Sequence, residues 1–141
     1  MNTQKHIHWT SFWAFLLAFL FAYSSFSKLL SVNEFQMSLF TIYPFPPVVM
    51  TAFMFIVPVV ELGISFLLIY RKFYGLLAGF FTLLIFTLVV QFALGRGHEV
   101  SCGCFGGYDP VDPVWFIARN AILLAVTYFA MLDVRKLDKN S

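Results

Sequence analysis

A polytopic all-α membrane protein, a bundle of four transmembrane helices with both termini in the cytoplasm, is what this sequence predicts. Three observations carry the prediction. Hydrophobic residues make up 60% of the 141 positions and charged residues only 11%, where a soluble domain carries about 25% charge. Four apolar segments come close to the roughly 20 residues that a helix needs to cross the hydrocarbon core. The Lys and Arg residues that flank them are unevenly divided between the two sides, and that bias sets orientation. Length and the lack of any internal repeat point to one domain over residues 1–141. A net charge of +2, with its basic residues scattered, leaves no electrostatic footprint for nucleic acid. The lipid bilayer is the expected surrounding.

The spans fall at about residues 9–27, 48–70, 74–94 and 114–132. The first ends in "FSKLL". Its length, and the Tyr within the small-residue triplet "AYS", favour a retained helix over a cleaved leader. The link "SVNEFQMSLFTIYPFPP" follows, and its Pro44, Pro46 and Pro47 set the start of the second span, because proline suits a first helical turn. A tight turn around Arg71 to Phe73 makes the second and third spans antiparallel neighbours. Lys5, Arg71, Lys72, Arg135, Lys136 and Lys139 lie on one side, against Lys28 and Arg96 on the other. The positive-inside rule then puts the termini in the cytoplasm and the link at residues 95–113 outside, which implies a bacterial inner membrane and a periplasmic loop.

That loop holds both cysteines of the chain, Cys102 and Cys104, in "GHEVSCGCFGGYDP". Thiols two residues apart, with a glycine between them, suit a small-ring disulfide. Such a ring closes almost no chain, so it does little for stability, and a strained bridge is easily reduced. Redox exchange is the better reason for the pair. His98, Arg96 and Lys28 are candidate cationic neighbours that would favour the thiolate. Metal binding is the rival chemistry. Cys102, Cys104 and His98 supply three ligands where structural zinc takes four, usually at wider cysteine spacing, so no metal is expected.

Several polar residues stand inside the apolar segments, where an ionisable group is expensive and marks a partner or a water path. Glu61 lies a little past the middle of the second span, about 20 Å from its outer end. Arg119 and Asn120 lie early in the fourth, with Arg119 roughly 8 Å below the outer level. Gln91 and Lys28 are expected at the outer level itself, beside the cysteine loop. Pro58 weakens the second span locally, and Gly63 is expected to let a neighbouring helix approach. The alternative is structural: Glu61 as interhelical glue, Arg119 extending to the head groups.

In "FSKLL", the Phe35, Phe40, Tyr43 and Pro44 of the following link, "PVVELGISFLL", "SCGCFGG" and "WFIARNAILL", the chain resembles the methylamine-utilisation MauE family, within the wider DoxX-like group of redox-associated membrane proteins. The likeness runs from about residue 12 to 132. It implies a four-helix bundle tied to thiol or disulfide chemistry outside the cytoplasm, with Cys102 and Cys104 as the redox pair. Glu61, Lys28, Arg119 and Asn120 match motif positions. It also implies a periplasmic thioredoxin-like or disulfide-containing partner, and a context of methylamine metabolism through maturation of methylamine dehydrogenase. The expected function is therefore a membrane thiol–disulfide protein, with membrane quinone as the electron acceptor and Glu61 handling protons. The alternatives are a non-enzymatic assembly factor for a secreted redox protein and a small transporter lined by Glu61 and Arg119.

Overall fold

The computed structural model of the chain describes residues 2–97 and 112–139. Five helices account for nearly all of them: α1 (Asn2–Leu30), α2 (Val32–Ile42), α3 (Pro47–Tyr70), α4 (Lys72–Gly95) and α5 (Pro113–Lys139). No strand occurs among the described residues. Within α1, α3, α4 and α5 lie four segments long and apolar enough to cross a membrane, His8–Leu30, Pro47–Tyr70, Lys72–Gly95 and Val114–Lys139. The chain is a multi-pass membrane protein. Its helices outrun the expected spans at several ends, because hydropathy finds the apolar window and a helix continues past it into polar residues.

The pattern of α1 shows how these sequences choose their inner face. Thr10, Ala14, Leu17, Ala18, Phe21, Ser25 and Lys28 are buried and recur every three or four residues. Phe12, Phe15, Phe19, Tyr23 and Phe26 are exposed on the other side. Lipid is as apolar as a phenyl ring, so helices associate through close packing and hydrogen bonds. Small and hydroxyl residues therefore turn inward and the large rings turn to lipid. α1 is the central helix. It packs most extensively on α3 and also touches α5, α2 and α4, while α4 packs on α3 and α5.

Two hydrogen bonds zip α1 to α3. The Ser65 hydroxyl donates to the Ala18 carbonyl and the Ser25 hydroxyl to the Pro58 carbonyl, each at 2.8 Å. They are seven residues apart on both helices, so they set one antiparallel register. Extending it places Leu30 level with Phe53, so α3 begins about 9 Å beyond the end of α1. α2 occupies that extra height. The link before α3 therefore carries a short helix of its own, which its hydropathy does not announce. Its Phe35 and Ser38 are buried, and Val32, Phe35, Leu39 and Ile42 follow helical spacing.

The other end of the bundle closes tightly. One residue, Arg71, separates α3 from α4, and Lys72 Nζ donates to Ser11 Oγ at 2.6 Å. The α3–α4 turn and the N-terminal end of α1 thus share one face, which α5 also reaches at its C-terminal end. We call it the termini face and the opposite one the loop face. A Cβ on Gly75 would stand 2.5 Å from the Leu68 Cα, so this crossing requires glycine. Gly63, expected to serve close approach, has nothing within 4 Å of a built Cβ and faces outward. Exposed Trp9, Tyr70 and Tyr74 mark the termini face and Trp115 and Tyr43 the loop face, as in an aromatic belt.

Candidate functional site

In the half of the bundle nearer the loop face, α1 and α3 meet in one ion pair, with rings of α2 and α4 beside it. Lys28 Nζ of α1 meets Glu61 Oε1 of α3. Both residues are buried, with 3% and 8% of their surface exposed. The α1–α3 register alone leaves their Cα atoms about 9 Å apart along the axis. Side-chain direction closes that gap. Each Cα–Cβ bond tilts toward its own helix N-terminus, so on antiparallel helices Lys28 leans toward the termini face and Glu61 toward the loop face. The Ser24 hydroxyl also donates to Glu61 Oε1, at 3.5 Å.

The surroundings of the ammonium are aromatic. Its nitrogen lies 5.5 Å from the ring centre of Phe35 (α2) and 5.9 Å from that of Phe86 (α4), within cation–π range. Phe86 packs on Phe116 of α5, centroids 6.2 Å apart, and the Arg119 guanidinium lies over Phe116 at 5.6 Å. Val90 and Ala93 complete this cluster with Phe116. Lys28 and Arg119 thus each lie over one ring of a tilted aromatic pair, and Glu61 pairs with Lys28. Glu61 Oε2 and Asn120 Nδ2 are buried atoms without a hydrogen-bond partner among the described residues, and Asn120 is only 2% exposed. Buried polar atoms are otherwise nearly always paired.

Of the residues singled out from the sequence, the structure brings Lys28, Glu61, Arg119 and Asn120 into this half of the bundle. Lys28 does not sit at the outer level. The register places it beside Phe55, about 12 Å inside the start of α3, because α1 stops short and α2 covers its end. Gln91 is exposed on α4. Cys102, Cys104 and His98 lie outside the described residues. Sequence reasoning missed Phe35 and Phe86 as the rings around the ammonium. One signal for Lys28 was available, since it continues the inward stripe of α1 after Phe21 and Ser25. For α2 the signal was "SVNE", the residue pattern of a capping box, although Ser31 makes no side-chain cap bond.

Comparison with known proteins gives two matches. The family model described as methylamine utilisation protein MauE matches residues 6–133. Protein TlpB of Flavobacterium psychrophilum is similar to this chain, with 30% identity over 138 residues, which takes in 89% of this chain and 37% of that protein. The chain therefore spans little more than a third of that relative's length. No solved structure gives a significant match.

Proposed function

The chain belongs to the methylamine utilisation protein MauE family, and on that premise we propose that it is a membrane thiol–disulfide exchange protein acting through Cys102 and Cys104. The observation that carries this reading is the "CGC" sequence in the connection between α4 and α5. Those helices end and begin at the loop face, opposite the basic ends of the bundle, and the lysine and arginine bias makes the loop face extracytoplasmic. A disulfide persists there.

A thiolate of a disulfide-forming partner attacks one sulfur of the Cys102–Cys104 bridge. A mixed disulfide forms and the other cysteine leaves as thiolate. The partner's second thiol then attacks the mixed bond, so the partner departs oxidised and the pair remains as two thiols. Two electrons and two protons have moved to the chain. A quinone from the bilayer is the class of oxidant that takes both and restores the bridge. An open groove between α2 and α3 is lined by Asn33, Gln36, Met37, Phe40 and Met50, and it is one place where the ring could be sought.

The test is trapping in the native membrane. Either Cys102→Ser or Cys104→Ser should accumulate a mixed disulfide with an extracytoplasmic protein, released by reductant. A double Cys→Ser variant that complements a deletion strain fully, with neither single variant trapping a partner, would overturn the reading.

A further inference from the structure

The Lys28–Glu61 pair is more elaborate than a strut between helices requires. Glu61 Oε1 takes both donors, Lys28 and Ser24, and leaves Oε2 buried with none. Asn120 Nδ2 is another buried atom without a partner among the described residues, as are Glu34 Oε2 and Trp13 Nε1. Asn120 belongs to the same layer as the pair. Phe116 lies one turn nearer the loop face and packs on Phe86, the ring beside Lys28. Asn120 is therefore about 6 Å deeper than Phe116, on the side toward which the Lys28 ammonium leans.

We propose that Glu61, Lys28 and Asn120 form an internal proton-binding site, with Glu61 Oε2 as the atom that takes the proton and a buried water joining it to Asn120 Nδ2. The water can pair with both atoms in either state. With the carboxylate, the water donates to Oε2 and accepts from Nδ2. With the acid, it accepts from both. A hydronium supplies the proton, an O–H bond forms on Oε2, water is released, and nothing is oxidised. The aromatic cage makes the protonated state tolerable, because Phe35 and Phe86 still hold the ammonium by their faces after the carboxylate loses its charge. The other charged groups near this layer are few. α2 contributes Glu34, α5 contributes Arg119 over Phe116, α1 adds none besides Lys28, and α4 has no charged residue between Lys72 and Arg96. The site does not rest on the thiol reading and needs no cysteine.

Infrared spectroscopy of the full chain in lipid vesicles tests it. Glutamates occur only at 34, 61 and 99, so a Glu34→Gln/Glu99→Gln variant labelled at the glutamate carboxyl carbon reports Glu61 alone. An isotope-shifted carboxylic-acid band should grow as pH falls and disappear with Glu61→Gln. Asn120→Leu should move that band to higher frequency as its hydrogen bond weakens. Absence of any isotope-shifted acid band, at every pH where the bundle stays folded, would overturn the proposal without need of a variant at Glu61. A band unmoved by Asn120→Leu would overturn the water bridge.

Discussion

The two halves of the α1–α3 interface are held together in different ways. Toward the termini face, Ala14, Leu17, Ala18 and Phe21 meet Ile64 and Leu68, with Leu76 of α4 and Ala130 of α5 completing one apolar cluster. Toward the loop face the same two helices meet through Ser25, Lys28 and Glu61. The first half is close packing, which lipid-embedded helices use for association. The second buries charge, where desolvation can exceed the attraction gained. The comparison teaches that stability accounts for the first half and not for the second. A pair kept at such expense is better explained by what it does.

Three measurements break or sharpen that contrast, each by reversible unfolding in lipid–detergent mixtures. The largest effect should come from Lys28→Met, which leaves a bare buried carboxylate and should destabilise by about 3–5 kcal/mol. The double variant Lys28→Met/Glu61→Leu should recover most of that loss, since apolar replacement of a whole buried pair is often neutral. If the double is as unstable as the single, the pair is structural after all and the contrast fails. Next comes Gly75→Ala in the packed half. Its Cβ would press on Leu68 backbone atoms, so about 1–3 kcal/mol should be lost. Gly63→Ala, in open space, should stay within about 0.5 kcal/mol. Equal effects at the two glycines would mean that the α3–α4 crossing does not depend on backbone approach. The smallest is Ser65→Ala, which removes one bond to the Ala18 carbonyl and should cost about 0.6 kcal/mol, the usual value for a hydrogen bond between membrane helices.

The sequence shows the four spans plainly, because long apolar runs have few other uses. α2 was hidden for the converse reason. It has 11 residues, mixes polar and apolar side chains, and sits next to a proline cluster that reads as a loop. The depth of Lys28 is not legible in the sequence, because hydropathy does not show that α1 and α3 end at different levels. Nothing local in "FSKLL" reveals that α3 rises farther than α1. Glu61 stood out as a buried carboxylate from the sequence alone, but its partner depends on two antiparallel helices leaning their side chains toward each other. Phe86 could not be told from the other 18 phenylalanines before the packing was known.

That α1 ends below the level at which α3 begins bears on how the chain is assembled. Synthesis delivers α1 well before α3, and at that moment Lys28 has no counter-charge. Two residues from the end of its helix, it can lift its ammonium to the head groups while alone. The arrival of Glu61 makes the deeper ammonium position tolerable, so the lysine side chain can turn inward once α3 has entered. The first segment thus holds its charge in reserve for the second.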